Sequence, residues 1–149
     1  MSSFARQSML ACVLALASVL NAEAAPTGEA AADSSASTGR AIMVLDASGS
    51  MWGQLDGVNK IVIARKVVRD LMKTWNPNVQ LGLMAYGHRY KGDCSDIELL
   101  FPPGIDTADQ GPDMVDRLNP KGKTPLTAAM IAAADALQHT EDAATVILV

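Results

Sequence analysis

Apolar and polar positions follow one another in blocks along residues 40–149, and these blocks predict alternating strands and helices. Two mainly apolar stretches, residues 41–45 and 79–86, have the length and composition of strands buried on both faces. Between them, residues 59–75 carry an apolar residue every three or four positions, which is the spacing of a helix with one buried face. The stripe of this helix consists of Ile61, Ala64, Val68, Leu71 and Trp75.

The second half of this region continues the alternation. Residues 97–101 predict a third, shorter strand, which Pro102 and Pro103 are expected to end. Because only a short polar loop precedes it, we expect this strand to form a hairpin with the strand before it and to lie antiparallel at the edge of the sheet. Residues 109–118 predict a short helix, and residues 144–149 predict a fourth apolar strand.

A second long helix is expected to begin at Thr124 and Pro125, because threonine caps free N–H groups and proline suits the first helical position. Its buried face is predicted to contain Leu126, Ala129, Met130, Ala133 and Leu137. The resulting order of elements predicts an α/β fold, a Rossmann-like open sheet with helices on both faces. The sheet is expected to be mostly parallel, with one antiparallel edge strand.

The first 39 residues are predicted to lie outside this domain. Residues 1–24 have the features of a secretory signal peptide, with Arg6 before the apolar stretch 9–20 and a cleavage site near Ala24. The apolar stretch is shorter than the about 20 residues that cross a membrane, so no stable span is expected after cleavage. Residues 25–39 are small and polar, as in a flexible linker. These features predict a periplasmic or secreted protein.

Charge and motif spacing argue against two classes of ligand. The net charge is −4, and no more than two cations are adjacent, so we expect no nucleic-acid partner. The segment Gly122-Lys123-Thr124 is similar to the end of a phosphate-binding loop, but Arg117 stands where that motif requires glycine. We therefore expect no bound nucleotide.

The candidate chemistry begins directly after the first strand, at Asp46, Ser48 and Ser50. In open α/β sheets, ligands bind beyond the carboxyl ends of the strands. One carboxylate and two hydroxyls at alternate positions of a turn suit a hard cation, Mg²⁺ first, with Ca²⁺ or Mn²⁺ also possible. Taken alone, the same residues are also compatible with a turn in which they bond to the local backbone.

Two segments together resemble the von Willebrand factor type A domain of bacterial proteins, with its metal-ion-dependent adhesion site. The segment 42–51 contains the family's Asp-x-Ser-x-Ser pattern, and Lys123-Thr124-Pro125-Leu126 is similar to its downstream threonine segment. The resemblance covers roughly residues 40–149. It implies that Ser48, Ser50 and Thr124 contact the metal directly, that Asp46 acts mainly through bound water, and that a protein partner's Asp or Glu completes the metal shell.

The same resemblance implies one further ligand that the sequence does not contain. In the family, a second Asp follows the fourth strand, and this position would fall just beyond Val149. We therefore interpret residues 40–149 as the N-terminal part of such a domain, truncated at its carboxyl end.

Residues expected beside the metal are candidates for contact with the partner. Interfaces are enriched in Trp, Tyr and Arg, and we expect Trp52, Tyr86, His88, Arg89 and Tyr90 to lie on the metal-binding face. An alternative is that Trp52 packs beneath its own loop and that Tyr86 belongs to the core. Arg89 is also expected to attract an acidic partner.

We expect a binding protein rather than an enzyme, and two alternatives remain open. The first is a serine hydrolase that uses Ser48 or Ser50, although neither serine has Gly-x-Ser-x-Gly flanks. The second is a structural envelope module that binds no metal. A separate metal site in the loop before the third strand is not favoured, because one His and one Cys are too few for zinc. The candidate ligands of that site are His88, Asp93, Cys94 and Asp96.

Overall fold

The structure is a computed structural model that describes residues 39–141 and 143–149. The predicted signal peptide, residues 1–24, lies outside the described residues, as does the predicted linker, residues 25–39, except for its last residue. Among the described residues, no helix combines the length and the apolar character needed to cross a membrane.

A four-stranded sheet in the strand order β5-β4-β1-β6 is the centre of the described domain. β1 is parallel to both β4 and β6, and β5 is antiparallel to β4, so the predicted α/β fold with one antiparallel edge strand is confirmed. In chain order the elements are β1 (Arg40–Asp46), a 3-10 helix (Gly49–Trp52), β2 (Gln54–Leu55), β3 (Val58–Asn59), α1 (Lys60–Lys73), β4 (Gln80–Tyr86), β5 (Ile97–Gly104), a second 3-10 helix (Ala108–Gln110), α2 (Gly111–Arg117), α3 (Leu126–Ala136) and β6 (Ala144–Leu148).

The central strand β1 is buried on both faces because it pairs with a strand on each side and lies between two layers of helices. Met43 and Leu45 point into the core shared with α1 and α2. Ile42 and Val44 point into the core shared with α3. Successive side chains of a strand point to opposite faces. Because both faces of β1 are buried, every position from residue 41 to residue 45 has to be apolar.

The start of α3 differs from the prediction. Pro125 has a ψ of 53°, which is not helical, so the helix begins at Leu126, and the structure shows no side-chain cap. The prediction that Thr124 caps this helix is therefore wrong. Leu126 is also more exposed than predicted, at 38%, whereas Ala129 and Ala133 are buried against the sheet.

Two features of the sheets also differ from the prediction. β5 continues through Pro102 and Pro103 to Gly104, because an edge strand tolerates residues that cannot donate a hydrogen bond. The antiparallel ribbon of β2 and β3 was not predicted at all. Its turn is Asp56-Gly57, with φ of 50° and 78°, which is a common signal for a two-residue hairpin turn.

Candidate functional site

Three segments meet where β1 and β4 end, and we call them together the carboxyl edge: residues 46–60, 87–96 and 118–124. The first segment continues the sheet beyond β1. The backbone N–H of Asp46 donates to the carbonyl of Val149 at 2.9 Å, and that of Ala47 donates to the carbonyl of Tyr86 at 3.0 Å. The sheet therefore holds the start of this segment between its two neighbouring strands.

The side chains of Asp46, Ser48 and Ser50 lie together in this first segment. The Asp46 carboxylate accepts a hydrogen bond from the backbone N–H of Ser48 at 2.7 Å. The 3-10 helix then brings Ser50 back beside Ser48, and their hydroxyl oxygens are 2.9 Å apart. Ser48 is buried, with 1% of its surface exposed. The two hydroxyls thus lie side by side, and the Asp46 carboxylate is held at the backbone of Ser48.

The threonine segment is attached to the same point through its backbone. The N–H of Gly49 donates to the carbonyl of Gly122 at 3.0 Å, and Ser48 and Gly122 form an isolated parallel bridge. The N–H of Gly122 in turn donates to the carbonyl of Gly87 at 2.8 Å. Thr124 is exposed and follows this bridge by two residues, so the backbone carries it to the edge where Ser48 lies.

Two glycines allow the three segments to approach so closely. Gly87 has a φ of 72°, and a Cβ atom there would lie 2.5 Å from the Lys123 carbonyl oxygen and 2.9 Å from Ser48 Cα. A Cβ atom at Gly122 would lie 2.6 Å from the carbonyl oxygen of Tyr90. Sequence reasoning missed this role of both residues, since glycine is common in loops and the close approach involves distant segments.

Tyr86 connects the buried sheet to the carboxylate of Asp46. The two residues are register partners in β4 and β1, and Tyr86 is 2% exposed. Burial, the negative charge of Asp46 and a hydrogen bond to Asp46 raise the pKa of the Tyr86 hydroxyl. The hydroxyl therefore stays protonated beside the carboxylate.

Asp96 organises the loop that forms the second segment. Its buried carboxylate accepts hydrogen bonds from the backbone N–H of Arg89 at 2.7 Å and of Tyr90 at 3.0 Å, and from Arg89 Nε at 2.7 Å. Burial alone would raise the pKa of Asp96, but the hydrogen bonds from Tyr90 and Arg89 outweigh it and lower that pKa. Sequence reasoning considered Asp96 only as a metal ligand and missed this role in shaping the loop.

The predicted partner-binding residues lie on two segments of the carboxyl edge. Trp52 is 50% exposed, and its Nε1 donates to the carbonyl of Pro120 at 2.9 Å, so it joins the first segment to the third. Arg89 lies 5.5 Å from the centre of the Tyr90 ring.

The two basic side chains of this group already have acidic neighbours. His88 Nε2 is 2.8 Å from Glu98 Oε2. Arg89 Nε is 2.7 Å from Asp96 and 3.5 Å from Glu98. The charge of the Arg89 guanidinium is therefore largely balanced within the protein.

The residues considered for a second metal site are used locally. Asp93 accepts hydrogen bonds from the N–H and the hydroxyl of Ser95, both at 2.7 Å, and these bonds lower the pKa of Asp93. Cys94 is an exposed free thiol. Within residues 39–141 and 143–149, no group of three or more His, Cys, Asp or Glu side chains is placed to hold a metal. A cation at the carboxyl edge would thus depend on hydroxyl oxygens.

The donor set of the carboxyl edge suits a hard divalent cation. Asp46, Ser48, Ser50 and Thr124 provide oxygen atoms only, which is the chemistry that Mg²⁺, Ca²⁺ and Mn²⁺ prefer. Few of these oxygens carry charge, so an ion held here would retain much of its positive charge.

Comparison with known proteins identifies the family of the domain. Residues 41–149 match the family model of the von Willebrand factor type A domain, and the chain belongs to that family. Domains of this family commonly bind divalent metals and act as protein-interaction modules. A search of curated proteins found no match to the chain.

Proposed function

We propose that the domain binds a protein partner through Mg²⁺, which Asp46, Ser48, Ser50 and Thr124 would hold at the carboxyl edge. The observation that carries this proposal is the contact of 2.9 Å between the Ser48 and Ser50 hydroxyls, beside the Asp46 carboxylate. The backbone bridge from Ser48 to Gly122 supports the assignment of Thr124 to the same site.

The chemistry of these donors explains why an external carboxylate is the expected ligand. Three hydroxyls are neutral, so the cation would attract a further anionic oxygen. Mg²⁺ retains bound water readily, and Asp46 would act through such a water while the Ser48 N–H orients its carboxylate. The carboxylate of a partner's Asp or Glu would then complete the shell. Ca²⁺ or Mn²⁺ would suit the same oxygens.

We also infer that the domain is a binding protein rather than a serine hydrolase. A nucleophilic serine needs a base within hydrogen-bonding distance, and the Ser48 hydroxyl contacts the Ser50 hydroxyl instead. His88 Nε2 contacts Glu98, and His139 Nδ1 contacts the carbonyl of Ala134. These contacts favour binding over hydrolysis.

Calorimetric titration of Mg²⁺ into the 149-residue chain tests the metal site. Asp46→Asn keeps an oxygen that can accept from Ser48 but removes the charge, so we expect the Mg²⁺ affinity to fall about 10- to 100-fold. Asp56→Asn, at the exposed turn of the ribbon, is the matched control and should bind as the unmodified chain does. Equal Mg²⁺ binding by all three proteins would rule out Asp46 as part of the site, and no binding by any of them would favour a metal-free structural module.

We propose further that the protein is exported to the periplasm or secreted, which rests on the sequence of residues 1–24. Expression in a bacterium should give an exported product that is cleaved near Ala24. Mass spectrometry of this product reports the outcome directly, and an intact Met1 in the exported fraction would contradict the proposal.

A further inference from the structure

We propose that the partner presents an acidic segment rather than a single carboxylate, and that Lys121 and Lys123 bind its additional carboxylates. This inference rests on the proposed function, because the metal would hold one carboxylate of the segment. It adds a second, metal-independent contact and defines the partner as a peptide segment that carries several Asp or Glu residues.

The distribution of ion pairs among the lysines carries this inference. Lys66 and Lys73 on α1 both pair with Asp70, at 2.5 Å and 3.8 Å. In the part of the chain that the structure describes, the remaining lysines are all exposed and form no ion pair with a described carboxylate. These lysines are Lys60, Lys91, Lys121 and Lys123.

All four of these lysines lie on the carboxyl edge. Lys121 and Lys123 flank Gly122, whose carbonyl accepts the hydrogen bond from Gly49. Lys91 follows Tyr90 in the second segment, and Lys60 ends the first segment as the first residue of α1. Lys121 and Lys123 are therefore close to Thr124 in the chain, and Lys60 and Lys91 lie on the two neighbouring segments.

The carboxylates of the carboxyl edge do not neutralise these lysines, because most of them already accept local hydrogen bonds. Asp46 accepts from Ser48, Asp93 from Ser95, and Asp96 from Arg89 and Tyr90. Among the described residues, Asp56 at the exposed turn of the ribbon is the exception. The edge thus presents free ammonium groups while its own acidic oxygens are turned towards the protein.

Lys60 adds a second indication of an external anion. It is the first residue of α1, and the first turn of that helix contains no acidic residue. A cation at a helix N-terminus is disfavoured by the helix dipole, so this position is unfavourable for Lys60 in the isolated domain. An acidic ligand nearby would offset that cost.

The spacing of these charges favours an acidic peptide over a phosphate polymer. The four lysines are distributed over three segments, and the chain as a whole carries a net charge of −4, which repels a long polyanion. Separate carboxylates on a short peptide match separate lysines, with one carboxylate left for the metal. Exposed charge pairs of this kind mainly raise the association rate and are weakened by salt.

Fluorescence anisotropy with two labelled octapeptides tests the inference in the presence of Mg²⁺. One peptide repeats Asp-Gly four times, and the other keeps one Asp and replaces the other three with Asn. The double variant Lys121→Gln/Lys123→Gln should bind the four-Asp peptide about tenfold more weakly than the unmodified chain. It should bind the one-Asp peptide with unchanged affinity. The double variant Lys66→Gln/Lys73→Gln on α1 is the matched control and should bind both peptides as the unmodified chain does.

The outcomes separate this inference from the proposed function. Equal affinity of the Lys121/Lys123 variant and the unmodified chain for the four-Asp peptide, with binding still abolished by EDTA, would overturn the inference and leave the proposed function intact. Peptide binding that has the same affinity in EDTA as in Mg²⁺, and is weakened only by the lysine changes, would overturn the proposed function instead. Displacement by tripolyphosphate at the concentration of the peptide itself, or no binding of the four-Asp peptide by the unmodified chain, would overturn the acidic segment as the partner.

Discussion

At the carboxyl end of β1, three loops meet through backbone atoms, whereas near the amino end of β4 side chains enclose a cavity of about 180 Å³. The cavity is lined by Met72 near the end of α1 and Trp75 just after it, and by Gly104 at the end of β5 and Thr107 beyond it. A Cβ atom does not fit at Gly87, whereas the side chains that line the cavity have room to move. Backbone contacts therefore control the geometry of the candidate metal site. A substitution near the cavity can change the stability of the domain without changing that geometry.

The largest effect is expected from placing a methyl group where the loops meet. In Gly87→Ala, positive φ strain is combined with a clash against the Lys123 carbonyl oxygen and Ser48 Cα. We expect a loss of about 3 kcal/mol in the free energy of unfolding, together with loss of Mg²⁺ binding. Urea unfolding and calorimetry measure the two effects.

Gly92→Ala is the matched control for this change. Gly92 also has a positive φ, of 84°, but a Cβ atom there would meet no atom within 4 Å. It should therefore show only the backbone strain, about 1–2 kcal/mol, and retain Mg²⁺ binding. Equal losses in the two variants would mean that strain, and not close approach, is what matters at Gly87.

The fold was predictable from sequence because burial on both faces leaves a strong local pattern. Residues 41–45 and 81–86 contain no charged or amide side chain, since helices cover both faces of the sheet. The positions of Asp46, Ser48 and Ser50 were predictable for the same reason, because the end of a buried strand fixes where its loop begins. Their distances to one another come from the structure.

The remaining features were not predictable because they depend on contacts between distant parts of the chain. Gly87 is needed because residue 123 passes beside it, and Asp96 is buried because the backbone of Arg89 and Tyr90 folds around it. Thr124 was predicted to be a helix cap because Pro125 suits the first position of a helix. In the structure, the bridge at Gly122 holds this segment in a different conformation.

A smaller effect on stability, but a clear one on metal binding, is expected at Thr124. Because Thr124 does not cap α3, Thr124→Ala should change the free energy of unfolding by no more than about 0.5 kcal/mol. Its Mg²⁺ affinity should nevertheless fall about tenfold through loss of one ligand. Thr124→Ser keeps the hydroxyl and should bind nearly normally.

Thr127→Ala provides the control for that experiment. Thr127 is exposed in the first turn of the same helix, so its loss should affect neither stability nor Mg²⁺ affinity. Weaker Mg²⁺ binding by Thr127→Ala, to the same degree as by Thr124→Ala, would show that α3 and not the Thr124 hydroxyl is responsible.

The smallest effect on Mg²⁺ binding is expected at the opposite end of the sheet. In Gly111→Ala, the new Cβ atom would overlap Met72 Sδ and Cε, but Met72 is flexible and lines the cavity. The side chain can move, and alanine favours the helix, so the free energy of unfolding should change by no more than about 1 kcal/mol. Mg²⁺ titration should be unchanged. A loss as large as that of Gly87→Ala would contradict the contrast between the two ends.

The most direct test of the central claim is anomalous diffraction from crystals of the protein soaked in Mn²⁺. Mn²⁺ accepts the same oxygen donors as Mg²⁺ and is located by its own scattering. The account predicts one anomalous peak in contact with the hydroxyl oxygens of Ser48, Ser50 and Thr124, with Asp46 reached through water. A map with no peak at these hydroxyls, or with its peak beside Asp93 and Cys94, would contradict it.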